Sequence, residues 1–226
     1  MTSSEYNLIV VAHPDDEAIF FSSALLKNST PARVICVTDG NADGMGEIRM
    51  NQFQRSCESL GAEKWSCMKL PDLYESRLDV KTIQNELKKW DAPATVYTHS
   101  PVGDYMHPHH QDVSYAVHHY FKEKCSVRSV AYNCFASETN ALNGDQFRLK
   151  SRILAEIYGS ETKRFLNLIP CAQVESFVEL DYDEVSEIYL CLSGAKEKLD
   201  RSKLSAYLWL ADYLEEKAKE PKKRLF

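Results

Sequence analysis

Tyr6-Asn7-Leu8-Ile9-Val10-Val11-Ala12-His13-Pro14-Asp15-Asp16-Glu17 is the stretch on which the fold is decided. Leu8 to Ala12 is apolar without alternation, as a strand covered on both faces of a parallel sheet must be. The run delivers a histidine and three successive carboxylates into one turn. Pro14 suits a first helical position, and Asp15, Asp16 and Glu17 suit the positive end of a helix predicted over Ala18 to Lys27. Taken alone these residues could be an Asx-rich helix cap. They carry more metal-binding and proton-transfer capacity than a cap needs.

Outward from this turn, strand-like and helix-like runs alternate. Strands are predicted at Ala32–Thr38, Lys64–Leu70 and Thr95–Thr98, and helices at Glu47–Leu60, closed by Gly61, and at Val80–Trp90. The exit of the fourth strand runs from His99 through Asp104-Tyr105-Met106 to His107-Pro108-His109-His110, ahead of a helix from Gln111 to Lys122. Such alternation implies an α/β fold with a mainly parallel sheet and helices on both faces. Further on, the pattern predicts a fifth strand at Val127–Phe135, a polar turn at Asn140–Asp145 and a helix with Leu149, Ile153 and Ile157 on one side, stopping at Gly159. A strand at Val174–Leu180, a helix at Asp183–Leu192 and a C-terminal helix from Ala195 to Ala218, ended by Pro221, follow. Trp65, Trp90 and Trp209 are expected in the core. Neither repeat nor linker divides the 226 residues, so one domain over 1–226 is expected.

The net charge of -6 lacks long runs, which argues against a general nucleic-acid binder. Lys222-Lys223-Arg224 reads as a solvated end. Seven cysteines without a CxxC pair read as reduced thiols of a cytoplasmic protein. No run approaches the roughly 18 apolar residues that span a bilayer, and the first residues lack a signal-peptide pattern. The sequon Asn28-Ser29-Thr30 is therefore read as chance. Asp39 to Gly44 imitates a calcium loop, but its twelfth position is Met50, which cannot supply the bidentate carboxylate. Composition leaves the oligomeric state open.

In an open parallel sheet, ligands bind beyond the carboxyl ends of the strands, where strand order reverses. Both histidine clusters leave such ends. His13 and Asp16 are three apart, sharing a face at a helix start, and His107 and His110 repeat the spacing. Two histidines and a carboxylate with open positions suit zinc. The zincin pattern H-E-x-x-H is absent, which argues against a metalloprotease on that plan.

The order Ala12-His13-Pro14-Asp15-Asp16-Glu17, Thr38-Asp39-Gly40, Gly46-Glu47-Ile48-Arg49, Leu60-Gly61 and His107-Pro108-His109-His110 resembles the PIG-L (LmbE-like) family of metal-dependent N-deacetylases. The resemblance implies a Rossmann-like three-layer sandwich. It also implies a hydrolase that removes the N-acetyl group from an N-acetylglucosamine-type sugar conjugate, a small-molecule amino-sugar substrate. His13, Asp16 and His110 would hold the metal, zinc or ferrous iron. Asp15 would be the general base that takes a proton from the attacking water. His107 would stabilise the oxyanion and supply a proton to the leaving amine, and Arg49 would contact substrate, unless it is an ordinary exposed helix arginine. His109 stands where the family often has aspartate, and Gln52 where a glutamate often follows the arginine. Lys150 to Glu161 resembles a looser family pattern that ends in Ser-Gln, from which Glu161 departs. Membrane-anchored relatives carry a transmembrane segment, and this chain shows none. Two alternatives stay open: an amidase on a non-sugar substrate, and a sugar-binding module without turnover.

Overall fold

The protein is described by a computed structural model that covers residues 6–27, 29–74, 76–90, 93–165 and 172–219. Asn28, Cys171, Pro221 and the basic segment Lys222–Arg224 lie outside the described residues. In chain order the elements are β1 (Asn7–Val11), α1 (Asp16–Phe20), α2 (Ser22–Leu26), β2 (Ala32–Thr38), α3 (Gly46–Ser59), β3 (Lys64–Leu70), α4 (Val80–Leu87), β4 (Thr95–Thr98) and α5 (Pro108–Phe121). Then come β5 (Ser126–Val130), β6 (Glu138–Ala141), α6 (Gly144–Arg152), α7 (Gly159–Phe165), β7 (Val174–Glu179), α8 (Tyr182–Leu192) and α9 (Ala211–Lys217).

The strands form one sheet in the order β3-β2-β1-β4-β5-β7-β6. The first five are parallel, and β7 and β6 are added antiparallel at one edge. From β1 the chain moves outward to β2 and β3, then returns to place β4 on the other flank of β1. The order therefore reverses between β1 and β4, and a crevice opens beyond their carboxyl ends.

Alternation along β1 builds the layers. Ile9 and Val11 face Phe20, Phe21 and Phe53, while Leu8 and Val10 face Ile83, Leu87, Val113 and Val117 of α4 and α5. Every residue of β1 is buried, as its unbroken apolar sequence requires. The α/β three-layer expectation holds.

Five segments depart from the pattern in the sequence, among them the strand expected over Val127–Phe135, which ends at Val130. The helix expected over Ala18–Lys27 breaks at Phe21 into α1 and α2. One bond missing there would join the Ser23 amide to the Ile19 carbonyl. Instead that amide donates to Glu175 Oε2 at 2.7 Å, and Lys150 Nζ donates to the Ile19 oxygen at 2.8 Å. Lys150 and Glu175 are themselves paired at 2.6 Å, so a buried ion pair is wedged into the helix and satisfies both broken ends. The polar turn expected at Asn140–Asp145 overlaps an edge strand, β6, paired with β7. The helix expected to stop at Gly159 ends at Ile157, and Gly159 opens a further helix. A π-helical turn at Ile153–Ile157 leads through Tyr158 into α7.

The long C-terminal helix from Ala195 is absent, and among the described residues there only α9 is α-helical. Glu184 accepts from the amides of Ser205 and Tyr207, and Glu187 from the amide of Asp200. Two buried carboxylates of α8 thus take the amides of Asp200, Ser205 and Tyr207, which a continuous helix would use in its ladder. Trp209 is largely exposed rather than in the core.

Candidate active site

The exits of β1, β2, β3 and β4 meet above the switch point. His13 follows β1, Gly40 follows β2, Asp72 follows β3 and His99 follows β4. Gly40 sits at φ +62°, and a Cβ there would come within 3.0 Å of the Pro14 ring, so the β2 loop can pack on the first motif only through glycine. Gly103, at φ +82°, has a tighter constraint: a Cβ would lie 2.5 Å from the His107 carbonyl. This close approach folds the β4 exit back onto the start of α5. His107 is the N-cap of α5 and Pro108 its first residue, so the helix begins earlier than the expected Gln111.

The two histidine motifs, nearly a hundred residues apart, converge. Asp16 Oδ2 lies 3.4 Å from His13 Nδ1 and 3.5 Å from His110 Nε2, and the two nitrogens are 3.2 Å apart. Zinc bound about 2.0–2.1 Å from three ligands at tetrahedral angles would space them about 3.3–3.4 Å from one another. The three donor atoms therefore fit such an ion, and two imidazoles with one carboxylate suit ferrous iron as well.

Hydrogen bonds decide which ring nitrogens carry lone pairs. His110 Nδ1 is 2.7 Å from Asp104 Oδ2 and donates to it, which turns a bare Nε2 toward Asp16. His99 Nδ1 shares the same carboxylate oxygen at 2.7 Å, while its Nε2 accepts from the Ala12 amide at 2.9 Å. Burial opposes charge on His99, but Asp16 and Asp104 raise its pKa to about 9, and the ring stacks on His110. His107 Nδ1 accepts from the His109 amide at 3.2 Å, so its proton sits on Nε2. Burial, with His13 and His110 nearby, lowers the His107 pKa well below the usual imidazole value, and burial pushes His110 down to about 4. Both rings are neutral.

Asp15 and Asp16 are adjacent in sequence and opposite in surroundings. Burial opposes charge on Asp16, but His110, His99 and His13 hold its carboxyl well below the usual range. Burial lifts Asp15 well above that range, with Arg49 pulling down and Asp16 and Glu17 pushing up. Asp15 also adopts φ 122°, a costly backbone for a residue with a side chain. Glu17 holds this turn: its Oε2 accepts from the Asp15 amide at 3.1 Å and its Oε1 from the Tyr158 hydroxyl at 2.7 Å.

Arg49 is buried rather than exposed. Its Nη2 donates to Asp15 Oδ2 at 3.1 Å and to the Pro14 carbonyl at 2.8 Å. Nη1 lies 3.7 Å from Asp72 and Nε 3.7 Å from Glu161. The guanidinium thus stands among three carboxylates, tied by hydrogen bonds to Asp15 and the Pro14 carbonyl.

Several residues around the site carried no firm role in the sequence: Glu17, Asp72, His99, Asp104, Tyr158 and Glu161. Asp104 is a buried second partner of two imidazoles rather than a loop residue. Its signal was its place between His99 and His110 at the exit of one strand. Glu161 and Tyr158 reach the site from α7 and the turn before it, for which spacing offered no cue.

Comparison with known proteins places these motifs. The sequence profile of the PIG-L family, described as GlcNAc-PI de-N-acetylase, matches residues 8–121. The N-acetylglucosaminyl-phosphatidylinositol de-N-acetylase of Saccharomyces cerevisiae is 40% identical over 62 residues, covering 25% of this chain and 20% of that protein. A probable enzyme of the same name from Dictyostelium discoideum is 27% identical over 129 residues, covering 52% of this chain and 50% of that one. The matched part thus spans half or less of these relatives' length. Among solved structures, N,N'-diacetylchitobiose deacetylase from Pyrococcus horikoshii superposes with a TM-score of 0.63 at 18% identity, over 79% of this chain and 84% of that chain. Its likeness bears on the fold. Because the family profile runs from β1 to the end of α5, half of the chain and both histidine motifs, this protein belongs to the PIG-L family.

Proposed function

We propose that this protein is a zinc-dependent N-deacetylase that hydrolyses the N-acetyl group of an N-acetylglucosamine-type sugar conjugate, releasing acetate and a free amine. One observation carries the reading: Asp15, a buried carboxyl with raised pKa, stands next in the chain to Asp16, whose oxygen lies 3.4–3.5 Å from two imidazole nitrogens. The activities named for the family and for the two sequence relatives support it. His13, Asp16 and His110 would hold the ion, which when bound lowers the pKa of a water and polarises the acyl carbonyl.

The other steps belong to the side chains. Asp15 accepts a proton from the water as its oxygen attacks the acetyl carbon, with Arg49 keeping the carboxylate oriented. The His107 Nε2–H donates a hydrogen bond to the oxygen on which charge develops. Its Nδ1 is already an acceptor for the His109 amide, so giving up the Nε2 proton would leave an anionic ring. The proton that the departing nitrogen gains as the C–N bond breaks therefore returns from Asp15.

The test is amine release by the zinc-loaded protein from N-acetylglucosamine, its inositol-phosphate and disaccharide conjugates, and N-acetyl amino acids. Turnover on at least one sugar conjugate, exceeding that on every amino acid, is expected. Turnover confined to N-acetyl amino acids would replace the sugar reading with a general amidase.

A further inference from the structure

We infer that His109 is a positioning residue that fixes the tautomer of His13, through a two-imidazole relay anchored on the Ser76 carbonyl. The inference rests on reading His13, Asp16 and His110 as the metal ligands. His109 occupies the second position of α5, between Pro108 and the ligand His110, and its ring is buried. Its Nε2 lies 2.8 Å from the Ser76 carbonyl oxygen. A carbonyl can only accept, so the proton of His109 is on Nε2 and its Nδ1 is a lone pair. That lone pair faces His13 Nε2 at 3.0 Å. His13 must therefore carry its proton on Nε2, which leaves Nδ1 bare, and Nδ1 is the atom 3.4 Å from Asp16 Oδ2 and 3.2 Å from His110 Nε2.

The carboxylate beside these two facing nitrogens, Asp72, has its Oδ1 3.9 Å from His13 Nε2 and 3.6 Å from His109 Nδ1, beyond hydrogen-bond reach of either. The ring that orients His13 is therefore another neutral imidazole, where His110 has the carboxylate of Asp104. The two histidine ligands are set by different chemistry. A neutral acceptor fixes the ring as firmly as a carboxylate does but adds less to its basicity. Ser76 is held in turn by the segment that follows β3, where Arg77 donates to the Pro108 carbonyl at 3.2 Å and to Asp112 at 3.0 Å. Loop and helix start are tied together, and the relay runs across that tie.

Asparagine and glutamine at position 109 separate this role from simple packing. In His109→Asn the side-chain oxygen falls near the place of Nδ1 and can accept from His13, but the shorter side chain cannot reach Ser76. His109→Gln puts its polar end near Nε2, restoring the Ser76 bond and leaving His13 without an acceptor. Zinc affinity, measured against a competing chelator, and the visible spectrum of the cobalt-loaded protein are the readouts. His109→Gln and His109→Ala should bind zinc about 10–100-fold more weakly than wild type with an altered cobalt spectrum, as loss of an orienting partner does. His109→Asn should stay within a few-fold of wild type, and metal-free melting curves would show that each variant folds. If glutamine binds as tightly as asparagine, or more so, His109 only anchors the loop and the relay is wrong. If wild type itself binds no zinc, the metal reading falls and takes the relay with it.

Discussion

The crevice has two walls, and neighbouring residues of one turn belong to different ones. On one side Asp16 stands among His13, His99 and His110, and on the other Asp15 stands with Arg49, Asp72, Glu161 and Glu17. On the first wall, imidazoles surround a carboxylate and hold it ionised, which is what binding a cation requires. On the second, carboxylates crowd one guanidinium at depth, and burial raises the affinity of Asp15 and Glu17 for a proton. The difference teaches that the pair of aspartates is not redundant: one is built to keep its charge, the other to exchange a proton.

The largest effects should follow from crossing that division. His110→Ala removes a proposed ligand from the first wall, so zinc and turnover should be lost together. Asp15→Asn should keep zinc while turnover falls by about a hundredfold to ten-thousandfold, the usual cost of removing a general base. Metal content by atomic emission, read beside single-turnover rates, separates the two. An Asp15→Asn protein that loses its zinc would merge the walls into one ligand set.

The first wall was legible in the sequence, and of the second little beyond Asp15 was. The two histidine motifs could be brought together because each follows a strand of the parallel unit, while the resemblance singled out His13, Asp16 and His110; local periodicity gave the strands almost to the residue, since Ala32–Thr38, Lys64–Leu70 and Thr95–Thr98 agree with β2, β3 and β4. Arg49 read as a substrate contact or an exposed first-turn residue, because amphipathicity says nothing of a cluster of buried charges. Its partners Asp72 and Glu161 lie 23 and 112 positions further on, and no periodicity links them. The same cause hides the split helix at Phe21 and the course of residues 200–207. In each, buried ionisable side chains from distant segments satisfy backbone groups that a local pattern assigns to a helix. Hydrophobic spacing reports which faces turn inward, and it is silent about polar groups that meet inside.

Arg49→Lys sharpens the contrast with a smaller effect. Lysine keeps one charge but cannot span Asp15, the Pro14 carbonyl, Asp72 and Glu161 at once. A residue that supports Asp15 should reveal itself in kcat, with a fall of about tenfold to a hundredfold from a misaligned base, and with little change in KM. Because Arg49 lowers the Asp15 pKa, weakening it should move the acidic limb of the rate profile to higher pH. A rise in KM with kcat and the pH profile unchanged would return Arg49 to the substrate-contact role expected from sequence.

The smallest effect is on stability, and it tests whether the second wall raises proton affinity beyond Asp15. Glu17 is fully buried, and burial pushes its pKa up from 4.5 to about 7, against the hydrogen bonds it accepts. Between these values the native state holds a proton that the unfolded chain has released, so the stability contributed by Glu17 falls as pH rises through the window. Glutamine does not titrate. In chelator-treated protein, the stability of wild type relative to Glu17→Gln should therefore decline by about 2–3 kcal/mol between pH 5 and pH 7.5, whatever constant offset the lost acceptor introduces. Urea midpoints at several pH values would measure it. Parallel curves for the two proteins would mean that the Asp15 amide and the Tyr158 hydroxyl already hold Glu17 ionised, and that the raised proton affinity of this wall is confined to Asp15.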